Sequence, residues 1–328
     1  MKKVLKVISI LILVLIVAVV VIVSYVKISL PDVGLAPDIK INNSAEHIQR
    51  GSYLANHVLA CMDCHSKRND AEFAAPLIEG TLGQGGEKFD QSLGFPGVYY
   101  AANITPAGIG TLTDGEIFRA ITTGVAHDGH AMFPVMPYQA YGKLDKNDIE
   151  DVIAYLRTLK PITNTVIPAQ SDFPMSIIIN TIPQKAVLTT IPSSDDSLAY
   201  GKYLFTAAAC HDCHTPFDKG KYDETKFLSG GREFQLPTGR IYSANITPDE
   251  ETGIGFWSKE SFVNQFKQYR DSTVMHRKLK AGEMQTIMPW TAYAGMTDKD
   301  LAAIYTYLKT VPAISNKVVK LKPKNKGM

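Results

Sequence analysis

The sequence predicts an all-α protein: two small, helical, loop-rich domains in tandem behind one N-terminal apolar helix. Three observations carry the prediction. An uncharged run over residues 7–26 is long enough to cross a bilayer, a set of short motifs occurs twice in the same order, and the periodic segments repeat apolar residues at three and four rather than at two.

The apolar run reads VISILILVLIVAVVVIVSYV and follows MKKVLK. Twenty residues at about 1.5 Å each span the roughly 30 Å hydrocarbon core. A cleaved export signal has a shorter apolar core, about 7 to 15 residues, and a small-x-small cleavage site. No such site stands out before Lys27, so residues 1–27 read as an uncleaved transmembrane anchor, with residues 4–26 in the membrane. Lys2, Lys3 and Lys6 precede the run and only Lys27 follows it closely. The positive-inside rule then keeps the N-terminus cytoplasmic, which makes the chain a single-pass protein of the cytoplasmic (inner) membrane. Everything after a linker at 28–44 is expected on the periplasmic or extracellular side.

The external part is a tandem duplication. RGSYL (50–54) answers YGKYL (200–204), and each leads into a Cys-x-x-Cys-His: CMDCH at 61–65 and CHDCH at 210–214. ANITP occurs at 102–106 and at 244–248, followed both times by Gly-Ile-Gly. VMPYQAYGKLDKNDIEDVIAYLRTL then matches IMPWTAYAGMTDKDLAAIYTYLKTV, which aligns Met136 with Met288. Domains are therefore expected at 45–163 and 196–316, joined by a proline-interrupted linker at 164–195 whose FPMSIIIN stretch is expected to pack on a domain surface.

Helices are expected over 44–60 and 197–209, leading into the cysteine motifs. Another is expected after Thr113, where Glu116 completes a capping box. Residues 146–159 and 298–310 open with acidic side chains, repeat apolar residues at three and four, and end near Pro161 and Pro312. Tyr53 with Tyr155, and Tyr203 with Tyr307, are expected where the first and last helices of each domain cross. Loop-rich domains of this size bury little apolar surface, and a large apolar cofactor at the centre supplies the missing core.

All four cysteines of the chain lie in the two Cys-x-x-Cys-His motifs. A thioredoxin-like dithiol needs a strand before the motif and a zinc site needs a fourth ligand; neither copy shows them. The pattern is the attachment signature of c-type haem: two thiols three apart on one helical turn each add to a vinyl group, and the adjacent histidine reaches the iron. Two covalently attached haem c groups are therefore expected, one on Cys61 and Cys64 with His65 as axial iron ligand, the other on Cys210 and Cys213 with His214. Met136 lies 75 residues after Cys61 and Met288 lies 78 after Cys210, each before a proline and an aromatic residue. They are the expected sixth ligands, soft donors that favour ferrous iron. His127, His130 and Met132, and Met275, His276 and Met284, lie near them but at unmatched positions. His47, His57 and His211 are expected at the surface. Asn103 and Asn245 bond either loop backbone or a haem propionate.

This order of motifs resembles class I c-type cytochrome domains, and more narrowly the cytochrome c subunits of membrane-bound alcohol, aldehyde and gluconate dehydrogenases. The resemblance covers nearly all of residues 45–315. It implies the cytochrome c fold for each repeat, hence two tandem cytochrome c domains, with His/Met haems and electron transfer from a dehydrogenase toward quinone or a terminal oxidase; the function expected of this chain is transfer from a dehydrogenase or quinol donor to another cytochrome, a downstream acceptor or a terminal oxidase. Two six-coordinate irons leave no open position for a substrate, so an electron carrier is expected rather than an enzyme. The alternatives are a dihaem peroxidase or thiosulfate-oxidising enzyme, which needs an iron able to become five-coordinate, and a cytochrome subunit of a terminal oxidase. With 34 basic against 32 acidic residues there is no polyanion-binding signature, so no nucleic-acid partner is expected. Five lysines within 317–328 form a basic, solvated and disordered tail.

Overall fold

The computed structural model describes residues 1–280 and 282–323. Its first helix, α1 (Lys2–Ser29), is exposed along its length except at Val23 and Val26, which are partly covered. The first half then opens with α2 (Ala45–Tyr53), which runs on through a π-helical turn at Leu54–Val58 into α3 (Cys61–His65). A short hairpin follows, β1 (Lys88–Phe89) with β2 (Gly97–Tyr100), and then α4 (Pro106–Ile109). The expected capping box opens α5 (Asp114–Thr123): Glu116 N donates to Thr113 Oγ1 at 3.2 Å, and Thr113 N donates to the Glu116 carboxylate at 2.7 Å. α6 (Tyr138–Tyr141) follows Met136-Pro137, and α7 (Lys146–Thr158) starts from an Asp145 cap.

The connection carries β3 (Gln170–Ser171), which pairs with β2, and α8 (Met175–Ile178). It packs on the first half, with Val187 N donating to Gly142 O at 2.8 Å. α8 and the turn after it also lie against the end of α1, where the Asn180 amide donates to Val26 O at 3.4 Å.

The second half repeats the order with α9 (Ser197–Ala207), α10 (Cys210–His214), and the hairpins β4 (Phe217–Asp218) with β5 (Lys221–Tyr222) and β6 (Glu233–Leu236) with β7 (Gly239–Tyr242). α11 (Lys259–Lys267), α12 (Ser272–Met275), α13 (Trp290–Tyr293) and α14 (Asp298–Leu308) complete it, and β8 (Leu321–Pro323) pairs with β7. Among the described residues three small antiparallel sheets thus accompany the helices, where an all-α chain was expected. The strands run two to four residues, too short to show the alternation by which a strand is read from sequence. β8 also takes up Lys322 from the stretch expected to be a disordered basic tail; residues 324–328 of that tail lie outside the described residues.

In each half the first helix crosses the last at a glycine. A Cβ on Gly51 would sit 1.7 Å from the Asp151 carbonyl oxygen of α7, and one on Gly201 would sit 1.9 Å from Ala303 O of α14. These are the glycines of RGSYL and YGKYL. The tyrosines of those motifs do something the repeat alone does not reveal. Tyr53 donates its hydroxyl to Asp300 of the other half and accepts from Thr297 N at 3.0 Å; Tyr203 donates to Asp148 at 2.7 Å and accepts from Asp145 N at 3.0 Å. Asp148 and Asp300 are repeat-equivalent, so the two contacts are reciprocal and the halves pack about a pseudo-twofold. Tyr155 lies at the first crossing, its Cβ 3.0 Å from where a Cβ on Gly51 would sit, and accepts from Asn56 at 3.0 Å; the Tyr307 ring lies 5.0 Å from that of Phe205 on α9.

Candidate functional site

Each Cys-x-x-Cys-His folds as one helical turn entered from a left-handed alanine, Ala60 at φ 51° and Ala209 at φ 48°. All four cysteines are free thiols. Burial pushes Cys61, Cys64 and Cys210 up to about 12 and Cys213 up to about 11. A redox dithiol works as a thiolate of depressed pKa, and helices rather than strands lead into both turns. Among the described residues no three His, Cys, Asp or Glu side chains converge as a zinc site requires.

The histidines are held identically. His65 Nδ1 donates to Ala102 O at 2.7 Å, and His214 Nδ1 donates to Ala244 O at 2.8 Å. Such a bond fixes the tautomer and leaves Nε2 as a free neutral donor. Burial lowers the pKa of both rings, which also keeps them neutral. Gly85 N donates to His65 O at 2.8 Å and Gly230 N to His214 O at 2.8 Å. Both glycines are left-handed, at φ 71° and 73°, and a Cβ on either would lie 2.4 Å from the carbonyl carbon of Ala102 or Ala244. Only glycine allows this approach. Sequence reasoning missed Gly85, Gly230 and the two alanine carbonyls; the signal was present in Gly-Gly at 85–86 and 230–231 and in the repeated ANITP.

In the second half one cavity of about 490 Å³ is lined by Cys210, Cys213, His214 and Met288, with mostly apolar side chains around them. That volume lies in the roughly 300–1,000 Å³ range of cofactor sites. Two thiols one turn apart, an oriented neutral imidazole, a thioether and an apolar wall fit a planar, largely apolar macrocycle held by thioether bonds. The donor set therefore suits haem c. In the first half Cys61 and Met136 pack against the same hydrophobic core. The two methionines enter matching turns: Tyr138 N donates to Met136 O and Trp290 N to Met288 O, both at 2.8 Å.

Of the rival ligands, His130 pairs with Asp128 at 2.5 Å and His276 with Glu72 at 2.8 Å, both in exposed positions. Met284 is buried and lines the same cavity as Met288. His211 is half-buried rather than at the surface and bonds Asp212 and Glu224. His47 and His57 are half-buried rather than exposed: His47 pairs with Asp151 at 2.5 Å, and His57 Nδ1 donates to Ala292 O of the other half at 3.1 Å. Both ANITP asparagines bond backbone. The Asn103 amide donates to Ile162 O at 2.8 Å and that of Asn245 to Ile314 O at 2.7 Å, tying the segment after the last helix to the loop that holds the histidine.

Residues 198–312 match the family model described as cytochrome c. The chain is 30% identical over 265 residues to a diheme cytochrome c-type of Cereibacter sphaeroides, covering 77% of this chain and 82% of that one. It is 30% identical over 280 residues to the fructose dehydrogenase cytochrome subunit of Gluconobacter japonicus, with 81% of this chain and 53% of the relative covered. Against the cytochrome c subunit of the quinone alcohol dehydrogenase of Gluconacetobacter polyoxogenes the identity is 27% over 282 residues, covering 81% and 56%. The chain thus spans about half the length of these two dehydrogenase relatives.

Proposed function

This chain belongs to the cytochrome c family, and we propose that it is a membrane-anchored dihaem electron carrier working between a dehydrogenase or quinol donor and a downstream acceptor or terminal oxidase. Residues 45–163 and 196–316 are its two cytochrome c domains. Cys61, Cys64, His65 and Met136 hold one haem; Cys210, Cys213, His214 and Met288 hold the other. The observation that carries this reading is the single cavity lined by all four residues picked from the second repeat. Haem, when bound, supplies a one-electron iron couple. The chain's own part is to orient His65 and His214 through the Ala102 and Ala244 carbonyls, to present a neutral thioether, and to keep water out, all of which tune potential.

The reciprocal Tyr53–Asp300 and Tyr203–Asp148 contacts pack the two halves against each other. Proximity of that kind supports electron exchange between the haems inside one chain. The anchor is α1, N-terminus inside, and the contact of Asn180 with Val26 at its outer end supports a fixed attachment of the haem-bearing part. The cytochrome subunits of the alcohol and fructose dehydrogenase relatives support a dehydrogenase as donor.

The test is spectroscopic. The oxidised full chain is expected to show the near-infrared methionine-to-iron band, diminished by Met136→Ala and by Met288→Ala. Met284→Ala leaves the band in place. A band insensitive to Met288→Ala, or one lost with Met284→Ala, contradicts the ligand assignment.

A further inference from the structure

The segment 69–76 follows the first cysteine motif, yet it is bound mainly to the second half. Phe73 N donates to Arg277 O at 2.7 Å, Leu279 N donates to Ala71 O at 3.1 Å, and Glu72 and Lys278 form an antiparallel bridge. The Gln285 side chain reaches it from the loop before Met288: Ala74 N donates to its Oε1 at 2.8 Å and its Nε2 donates to Glu72 O at 2.7 Å. Ala74 is completely buried.

The segment is held from its own side as well. Ala74 and Ala75 are left-handed, at φ 63° and 44°, a strained pair that persists only where the surroundings enforce it. Arg68 enforces it, donating to Ala74 O and Ala75 O at 2.9 Å each. The product of this bracing is the place of one ring. Phe73 lies under the Arg277 guanidinium, 4.3 Å from it, and stacks on Tyr269, which stacks on Trp290 two residues beyond Met288. Phe73 is also a wall of the cavity that contains Cys210, Cys213, His214 and Met288.

We propose that residues 69–76 are a wall lent by the first half to the second haem cavity, with Phe73 as a positioning residue that keeps water and small ligands from the iron and holds that haem's potential up. The proposal rests on reading the cavity as a haem site. Its physical basis is that oxidised haem carries one more positive charge than reduced haem, and a dry, apolar surround disfavours the extra charge. The family-model match begins at residue 198, so this wall lies outside the matched segment.

The experiment is a spectroelectrochemical titration of the haem-loaded full chain in detergent, paired with imidazole binding to the oxidised protein. Phe73→Ala is expected to lower one of two midpoint potentials, leave the other unchanged, and tighten imidazole binding at one haem severalfold; Phe73→Leu, which keeps apolar bulk, restores most of both. If Phe73→Ala fails to accumulate haem-loaded protein, Arg277→Leu removes the support over the ring and is expected to shift the same potential in the same direction. Wild-type potentials and imidazole affinity in these variants, or equal shifts at both haems, overturn the wall. A wild-type chain with fewer than two haems overturns the cavity's assignment instead.

Discussion

At the scale of single residues, the aim of His214 depends on a glycine. Gly230 lies so close to Ala244 that a methyl group there would push the carbonyl away from His214 Nδ1. Gly230→Ala is therefore expected to loosen the axial imidazole and add high-spin character to one haem in the electron paramagnetic resonance spectrum, with the other signal kept. Ala209, left-handed without being glycine, carries the opposite expectation. Ala209→Gly relieves a penalty of about 1 kcal/mol, read as a higher denaturant midpoint. The turns at 61–65 and 210–214 stood out in the sequence because they repeat fixed residue types at fixed spacing. Gly85 and Gly230 did not, because what they touch lies some 15 residues on in the chain and their role is to carry no side chain.

At the scale of elements, the two helix crossings admit no Cβ. Gly51→Ala or Gly201→Ala forces apart α2 and α7, or α9 and α14, against a backbone carbonyl that has little room to yield. Each is expected to cost about 3 kcal/mol, the upper part of the overpacking range, measured by chemical denaturation. Tyr53→Phe leaves buried Asp300 without its hydroxyl partner and is expected to cost about 1–3 kcal/mol in the same assay. The amphipathic helices and the Thr113–Glu116 box were readable because their signals are local and periodic. The short strands and the Tyr53–Asp300 exchange were not, since two-residue strands have no period and a contact between residues 247 apart leaves no mark in a single sequence.

At the scale of the whole molecule, the halves share one hydrophobic core and exchange hydrogen bonds, tyrosines and a wall segment. The clamp on that wall is acid-resistant. Its hydrogen bonds to Arg277 hold the Glu283 carboxylate down at about 2, below its ordinary 4.5, with help from Lys280 N. A depressed carboxylate stabilises the fold fully above its unfolded pKa and loses that contribution as pH falls through the folded one. The difference in denaturation midpoint between wild type and Glu283→Gln is thus expected to stay constant from pH 7 to 5 and to shrink from about 4.5 toward 2. The repeat of ordered motifs was visible in the sequence; the reciprocal contacts that join the two halves were not.

The central claim is that each half carries its own covalently bound haem. Intact-protein mass spectrometry of the full chain, matured with haem supply, tests it most directly. Wild type is expected to gain the mass of two haems, and the Cys61→Ala/Cys64→Ala and Cys210→Ala/Cys213→Ala variants one each; a wild-type gain of one haem or none, or a variant that keeps both, contradicts it.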